Sequence, residues 1–275
     1  MAQQLIAAGA VRVNARRARK GAQVVAGDTV EVDDAWLAPP VLRPNFGLVV
    51  PVLYEDAAVL ALDKPPGIPS HALRGDETET IANVLLARFP DVAFVGKSAL
   101  EPGIVHRLDI DTSGVLLIAR TPAAYAALRR QFTERRIRKE YRAVVHGDVA
   151  RAAEIHTPIT HTRGHAQMRI CRAADASGRP ALTRYAPLER YGSYTLLAVE
   201  ISTGVMHQIR VHLASIGHPV VGDRLYGPAA TAARVARHLL HAFRLGFTHP
   251  ESALPIEVNS PLPADLAAFL KTCGA

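Results

Sequence analysis

The apolar residues of this chain are gathered in short runs, none of which approaches the roughly 18 residues that a membrane-spanning helix needs. The continuous runs Val115–Ala119 and Leu196–Ile201 have the length of buried strands. Thr80–Phe89 and Met206–Ile216 instead show the apolar spacing of helices. Strands and helices alternate without the regular period of a solenoid or a doubly wound nucleotide-binding fold, so we predict an α+β fold.

The composition is that of a globular protein. Of 275 residues, 49% are hydrophobic and 21% are charged, which is too apolar for a disordered chain. Cys171 and Cys273 lie far apart without metal-ligand spacing, which argues against a disulfide scaffold or a zinc site. The start of the chain lacks the positive charge and cleavage region of a signal peptide, so we expect a cytoplasmic protein.

A proline-rich segment divides the chain into a small and a large part. Residues 35–48 contain Pro39 and Pro40, which interrupt regular structure and lack amide donors, so this segment is predicted to be a linker. Residues 1–34 before it show one short helical pattern and two short strand patterns. Residues 49–275 after it are numerous enough to bury a large core, so we predict that they form the main domain.

The chain is basic, and its charge is clustered. Lys and Arg number 32 against 25 Asp and Glu, a formal net charge of +7. Five basic residues and no acidic one lie between Arg12 and Lys20, and seven basic residues against two acidic ones lie between Arg129 and Arg142. Arginine binds phosphate through bidentate hydrogen bonds, and a basic surface releases counterions from a polyanion. The charge therefore favours a nucleic-acid partner. For either cluster alone, a solvated helix face is the alternative.

Four stretches combine reactive side chains with glycine in ways that packing alone does not require. They span residues 54–69, 103–114, 139–143 and 203–227. Asp109 lies in the second stretch, in a loop where an aspartate most often caps the amides of a turn. Tyr141 lies in the third, on a predicted strand where a tyrosine is most often a half-buried packing residue. The local pattern alone therefore gives neither residue a function.

Two common chemistries do not fit these stretches. His207, His212 and His218 do not form the helical histidine pair with a central glutamate that hydrolytic zinc sites use, so we expect no metal. Ser113 has neither a visible base nor the glycine spacing of a nucleophile elbow, which argues against a serine hydrolase.

The second stretch is the most distinctive of the four. It contains His106, Arg107, Leu108 and Asp109, followed by Thr112, Ser113 and Gly114. Together with the strand around Tyr141 and the helix around Arg210, in this order, it resembles the motifs of the RluA-type family of RNA pseudouridine synthases. The resemblance covers about residues 52–250. Residues 1–34 resemble a shortened form of a small RNA-binding module, also found in a small-subunit ribosomal protein, that often precedes this catalytic domain.

The resemblance implies both a fold and a set of functional residues. The fold is a mixed, mostly antiparallel sheet with flanking helices and a central basic cleft. Asp109 is implied to be the catalytic aspartate, Tyr141 to stack on the target base, and Arg210 to pair with the aspartate. The chain departs from the family at Val205 and Met206, where a basic residue and a threonine usually stand.

These residue types suit pseudouridine formation, which breaks the bond between ribose and a uracil nitrogen and rejoins the base through carbon. No redox change occurs, so no cofactor is expected. A carboxylate such as Asp109 beside the sugar can attack carbon 1, stabilise a developing oxocarbenium ion or assist removal of the neighbouring ribose proton. A cation such as Arg210 a few Å away would keep that carboxylate ionised, so we hypothesise an ion pair between them. A flipped-out uridine leaves a gap in the base stack, and Arg107 or His106 is placed to fill it, with a structural salt bridge as the alternative for Arg107.

We expect RNA contacts near the cleft and in the N-terminal part of the chain. The predicted RNA-binding residues are His106, Arg107, Arg135, Arg136, Arg138, Lys139, Arg12, Arg16, Arg17 and Lys20. Ribosomal RNA is expected in preference to transfer RNA, with no membrane partner and a monomer as the default state. A noncatalytic RNA-binding ribosome-assembly factor is the alternative from another class. Binding alone would need none of Asp109, Tyr141 and Arg210, so their joint presence favours the enzyme.

Overall fold

The computed structural model describes residues 2–33, 41–162, 167–172, 178–232 and 235–274. The chain consists of two compact units, Met1–Val41 and Leu42–Ala275. Of the predicted linker, residues 35–40 lie outside the described part. Residues 42–48 belong to the larger unit, where Leu42 is buried and Asn45 donates from Nδ2 to the Thr78 carbonyl at 2.8 Å. Residues 42–48 therefore lack helices and strands, as the prolines predict, but they pack against the rest of the larger unit.

The smaller unit contains one helix and a three-stranded antiparallel sheet. Its elements are α1 (Ala2–Ala8), β1 (Val11–Val13), β2 (Arg16–Arg17) and β3 (Val30–Val32), with β1 in the middle of the sheet. The turn between β1 and β2 has positive φ at Asn14 and Ala15. The Asn14 side chain donates to Asp28 at 2.7 Å and accepts from the Thr29 amide at 2.9 Å. The helix and two strands predicted here are confirmed, and β2 is an additional short strand.

The larger unit is built on a nine-stranded sheet. Its strands are β4 (Val52–Glu55), β5 (Val59–Lys64), β6 (Ser113–Ala119), β7 (Arg138–His146), β8 (Ala153–Ile155), β11 (Thr183–Tyr191), β12 (Tyr194–Ile201), β13 (Leu240–Thr248) and β14 (Pro255–Asn259). The order is β4-β5-β6-β13-β7-β12-β11-β8, with β14 paired to β13. The β6–β13 pair is parallel and the other described pairs are antiparallel. A separate hairpin pairs β9 (Ile159–His161) with β10 (Met168–Ile170).

The larger unit contains five α-helices among its described residues, and two of them begin at a threonine cap. They are α2 (Ile81–Arg88), α3 (Pro122–Thr133), α4 (Gln208–Ser215), α5 (Ala229–Ala232) and α6 (Ala264–Gly274), with a 3-10 helix at Pro90–Phe94. Thr80 and Thr121 cap α2 and α3 through their side chains. The predicted helix Met206–Ile216 starts two residues later than expected, because His207 adopts left-handed φ and ψ of 56° and 17°. Within the described part of the chain, no helix is long and apolar enough to cross a membrane.

Two hydrophobic clusters cover the two faces of the sheet and explain the continuous apolar run of β6. Leu116 and Ile118 pack in the cluster that contains α2 residues, whereas Val115 and Leu117 pack in the one that contains Ala124 and Leu128 of α3. Every residue of β6 is buried, since both faces of this strand are covered.

The parallel pair of β6 and β13 fixes the loop that precedes β6. His241 is paired with Ser113, and Ala242 with Gly114. Gly114 has a φ of 111°, and a Cβ there would lie 2.2 Å from the Ala242 carbonyl oxygen, so only glycine fits. The close approach of these two strands therefore sets where the loop 106–112 ends.

Candidate active site

The loop 106–112 is held by hydrogen bonds at Leu108, Asp111 and Thr112. Ser70 donates from Oγ to the Leu108 carbonyl at 3.0 Å and accepts the Leu108 amide at 3.1 Å. Arg237 donates from Nη1 to the Asp111 carbonyl at 2.9 Å. The Thr112 hydroxyl is hydrogen-bonded to His238 Nε2 at 2.9 Å. The loop is therefore pinned on both sides of Asp109, which restricts the position of that carboxylate.

A fully buried lysine supplies a further anchor. Lys64, at the end of β5, donates from Nζ to the carbonyls of Pro65 (2.9 Å), Ile68 (2.7 Å) and Ile110 (2.8 Å). Burial lowers the pKa of Lys64, while the charge of nearby Asp111 favours the ammonium form. Three carbonyl acceptors match the three protons of an ammonium group, so Lys64 ties the turn 65–68 to the loop 106–112.

Replacing Lys64 with Met should destabilise the larger unit. Each of the three carbonyls would lose its donor in a buried setting, so we expect a loss of about 3 kcal/mol or more in the free energy of unfolding, measured in urea. Lys97→Met is the matched control, because Lys97 is exposed and should tolerate the change. Equal stability of the two variants would contradict the anchoring role of Lys64.

Asp109, Arg210 and Asp223 form a continuous charged network. Arg210, on α4, donates from Nη1 to Asp109 Oδ2 at 2.9 Å, which confirms the pairing predicted from the sequence. The same guanidinium donates from Nε and Nη2 to the two oxygens of Asp223, at 2.7 and 2.9 Å. The side chain of Asp223 is fully buried and that of Arg210 is 6% exposed, whereas that of Asp109 is 22% exposed. Asp223 thus fixes the arginine, and the arginine presents its remaining donor to Asp109.

Charge compensation keeps this network ionised. Burial disfavours the charge of Asp223, but hydrogen bonds and charge from Arg210 outweigh it and hold the pKa of Asp223 below its usual value. Asp223 also accepts the backbone amides of Leu225 at 2.9 Å and Tyr226 at 3.1 Å. This carboxylate therefore shapes the segment after it as well as the arginine.

His207 lies beside the Asp109 carboxylate, and Tyr226 is hydrogen-bonded to His207. His207 Nε2 lies 3.9 Å from Asp109 Oδ2, and His207 Nδ1 is hydrogen-bonded to the Tyr226 hydroxyl at 2.8 Å. The same hydroxyl accepts the amide of Met168, on the β9–β10 hairpin, at 2.9 Å. The Arg210 guanidinium lies 5.2 Å from the centre of the Tyr226 ring. A polar chain thus links the hairpin to the vicinity of Asp109.

Tyr141 lies on β7, the strand between β13 and β12, and is 8% exposed. It lines the same cleft as Asp109. Burial, with the negative charge of Asp109, raises the pKa of the Tyr141 hydroxyl, so the phenol stays neutral near neutral pH. The structure therefore brings Tyr141, Asp109 and Arg210 together, as the sequence predicts.

These residues line a cleft of about 860 Å³. Its charged lining, within the described residues, consists of one carboxylate, Asp109, and six basic side chains: Arg107, Arg129, Arg135, Lys139, Arg179 and Arg210. The predicted basic cleft is thus present, with a single acid among its described lining residues. Such a surface attracts a polyanion and leaves one carboxylate to react.

His106 and Arg107, the two residues predicted to fill the gap left by a flipped base, differ in how tightly their side chains are held. His106 Nε2 accepts the backbone amide of Leu117 at 2.9 Å, and its ring stacks on Phe132 with 4.9 Å between centroids. Burial, together with the charges of Lys139 and Arg129, lowers the pKa of His106 to about 3, which keeps the ring a neutral acceptor. Arg107 is exposed at the cleft. Of the two, Arg107 has the side chain that can move into a substrate.

The other predicted RNA-binding residues occupy different surroundings. Arg135 is exposed and lines the cleft, and Lys139 lines it while donating to the Thr203 carbonyl at 2.8 Å. Arg136 is exposed and paired with Glu134, and Arg138 is exposed at a neighbouring smaller cavity. In the smaller unit, the predicted residues Arg12, Arg16, Arg17 and Lys20 are all exposed, and so is Arg19.

Sequence reasoning did not single out Lys64, Asp223 or Tyr226 as functional. Asp223 and Tyr226 lie in the fourth stretch, and a local signal precedes them at Gly222. This glycine has a φ of 78°, and a Cβ there would lie 2.1 Å from the Arg237 carbonyl oxygen. A glycine required directly before Asp223 could have marked this segment as tightly packed. It could not have shown that Arg210 is the partner of Asp223. The described residues contain no group of three or more His, Cys, Asp or Glu side chains arranged to hold a metal ion.

Comparison with known proteins decides the family. The model of the RNA pseudouridylate synthase family matches residues 58–215. The chain belongs to this family. The matched region includes Asp109, Tyr141 and Arg210, whereas Asp223 and Tyr226 lie beyond its end.

Individual relatives extend the match over most of the chain. Ribosomal large subunit pseudouridine synthase D of Xanthomonas campestris pv. campestris is 38% identical over 277 residues, which cover 96% of this chain and 81% of that protein. An uncharacterized RNA pseudouridine synthase of Chloroflexus aurantiacus is 45% identical over 209 residues, 76% of this chain, and the aligned region spans 65% of that relative. The solved structure of human RNA pseudouridylate synthase domain containing 1 matches with a TM-score of 0.65 at 27% identity, covering 85% of this chain and 98% of that one. The predicted fold is thereby confirmed, and the RNA-binding module predicted for residues 1–34 stays a prediction.

Proposed function

We propose that this protein isomerises uridine to pseudouridine in ribosomal RNA, using Asp109 as the catalytic carboxylate. The observation that supports this most directly is that, among the described residues lining the cleft, Asp109 is the single carboxylate beside six basic side chains. The name of the Xanthomonas relative supports ribosomal RNA over transfer RNA. A ribosomal RNA substrate also fits the expected cytoplasmic location, and a monomer stays the default expectation.

The ion pair with Arg210 suits the chemistry of Asp109. A carboxylate acts on ribose carbon 1 only while it is ionised, and the guanidinium at 2.9 Å favours that state. Arg210 cannot swing away, because Asp223 holds it through two further hydrogen bonds. Asp109 is therefore kept charged and oriented while 22% of its side chain stays open to the cleft.

Tyr141 would stack on the uracil base, and Arg107 would contact the RNA around it. The neutral ring of Tyr141, on a central strand, offers a rigid face for the detached uracil. Arg107 is placed to occupy the gap that a flipped uridine leaves in the stack, while His106 supports the loop from β6. Phosphates of the RNA would contact Arg135, with Arg136 and Arg138 as further contacts, and the basic residues of the smaller unit would bind RNA phosphates as well.

Tritium release tests this function. Unmodified ribosomal and transfer RNA carrying tritium at carbon 5 of uracil is incubated with the purified full chain, since pseudouridine formation replaces that hydrogen. We expect release from ribosomal RNA. Tight, salt-sensitive binding to both RNAs without release would instead support the alternative, a noncatalytic ribosome-assembly factor.

The affinity for RNA should fall as the pH rises through about 8. Burial lowers the pKa of Lys139 to about 8, so its ammonium is present below this pH and lost above it. The slope of the logarithm of the binding constant against the logarithm of the salt concentration should be smaller by about one at pH 9 than at pH 7, measured by fluorescence anisotropy. Lys139→Arg keeps its charge throughout this range and serves as the control. The same pH dependence in both proteins would contradict the assignment to Lys139.

A further inference from the structure

The imidazole of His207 lies in the cleft beside the Asp109 carboxylate, with Nε2 as the nearer ring nitrogen. Its Nε2 lies 3.9 Å from Asp109 Oδ2, which is too long for a hydrogen bond but leaves space for a substrate atom near both groups. The residue lines the cleft and adopts left-handed φ and ψ immediately before α4. A non-glycine residue in this conformation is uncommon, so the backbone here is held by its surroundings.

The contacts of Tyr226 favour one of the two tautomers of the neutral His207 ring. The Tyr226 hydroxyl accepts the Met168 amide at 2.9 Å. In the described part of the chain, the acceptor within hydrogen-bonding distance of its single proton is His207 Nδ1, at 2.8 Å. Because Nδ1 accepts, the proton of a neutral imidazole must lie on Nε2, which is the nitrogen that faces Asp109 and the cleft.

The surroundings of His207 favour the neutral ring. Burial lowers the pKa of His207, and the positive charges of Arg210 and Arg107 act in the same direction against the opposing carboxylates of Asp109 and Asp223. Tyr226 faces the ring from the other side as a neutral phenol, since burial raises its pKa. At neutral pH His207 is therefore a donor without a net charge, and it does not compete with Arg210 for Asp109.

Resting on the function proposed above, we propose that His207 is a further catalytic residue, which donates a hydrogen bond from Nε2 to oxygen 2 of the target uracil while the bond to ribose breaks. The electron pair of that bond passes to nitrogen 1 of the base and spreads onto oxygen 2. Oxygen 2 is attached to the carbon next to nitrogen 1, so it lies close to ribose carbon 1, where Asp109 acts. A donor beside Asp109 is thus near the atom on which negative charge develops.

The step requires no proton transfer from His207. One carbon–nitrogen bond breaks, one carbon–carbon bond forms at carbon 5 of uracil, and the hydrogen lost from carbon 5 is matched by one gained at nitrogen 1. A neutral imidazole can stabilise developing negative charge through a fixed hydrogen bond, as in other enzymes that polarise oxygen atoms. Tyr226 acts as a positioning residue, because it holds the tautomer of His207 and does not face the reacting atoms itself.

Variant kinetics test the role of the donor. His207→Ala should lower the single-turnover rate of tritium release about 100-fold, the usual effect of removing one such donor, with unchanged RNA affinity. His207→Gln should recover part of the rate, because its amide carries an N–H at a similar reach. Tyr226→Phe should give an intermediate loss. His156→Ala is the matched control, since His156 is exposed and hydrogen-bonded to Glu154 away from the cleft.

Nitrogen-15 NMR of the free protein provides a readout that does not depend on turnover. Long-range couplings should show His207 protonated on Nε2 and not on Nδ1 at pH 7, with the other tautomer appearing in Tyr226→Phe. A ring protonated on Nδ1 or on both nitrogens would overturn the proposal, as would a His207→Ala variant that isomerises RNA at the wild-type rate. Wild-type protein that releases no tritium would overturn the proposed function itself, which separates the two failures.

Discussion

Asp109→Asn should abolish tritium release from ribosomal RNA while leaving RNA binding intact. The amide has nearly the shape of the carboxylate but can neither attack ribose carbon 1 nor carry the charge that stabilises an oxocarbenium ion. Asp109 is also the single carboxylate among the described residues that line the cleft, so no neighbour can replace it. The expected loss is several orders of magnitude in single-turnover rate, with the dissociation constant for RNA unchanged or lower.

Asp111→Asn is the matched control for this variant. Asp111 lies in the same loop, two residues on, but is not part of the cleft lining, and its backbone carbonyl rather than its side chain accepts Arg237. This variant should keep most of its turnover. Full activity of Asp109→Asn would contradict the proposed mechanism, whereas a parallel loss in both variants would indicate damage to the loop instead of removal of a catalytic group.

Much of the fold was predictable because its core strands carry strong local signals. The continuous apolar run of β6 follows from burial on both faces, and threonine caps with a following proline or turn mark α2 and α3. The start of α4 was predicted two residues early. The spacing of apolar residues does not report the left-handed conformation of His207, whose side chain is hydrogen-bonded to Tyr226 from a later segment.

The site was predictable only where its residues lie in stretches that resemble the family's motifs. Asp109, Tyr141 and Arg210 each belong to such a stretch, and the resemblance implied the pairing of Asp109 with Arg210. Lys64 could not have been recognised, because a lysine at a strand end is ordinarily solvated and its three carbonyl partners come from turns that only the fold brings together. His106 illustrates the converse, since a histidine close to Asp109 in sequence holds the loop by accepting the Leu117 amide.

Asp223→Asn should damage stability and turnover together. Asp223 is fully buried and receives two hydrogen bonds from Arg210 and two from the amides of Leu225 and Tyr226. The amide keeps the shape but leaves a buried guanidinium with Asp109 as its one remaining carboxylate partner. Breaking a buried pair in this way costs about 3–5 kcal/mol, to be measured by urea unfolding at pH 7. Asp148→Asn, in an exposed pair with Arg190, should change the free energy of unfolding by less than about 1 kcal/mol.

The pH dependence of this loss identifies its electrostatic origin. Since the pKa of Asp223 is lower in the folded state than in the unfolded chain, its contribution to stability is complete above the unfolded pKa of about 3.9. It disappears as the pH falls through that value and then through the folded pKa, because the folded wild type must also take up the proton. The stability difference between wild type and Asp223→Asn should therefore be constant from pH 7 to about 5 and shrink below about 4. A difference that persists unchanged in acid would assign the loss to packing, and a variant with wild-type turnover would show that Arg210 orients Asp109 without help from Asp223.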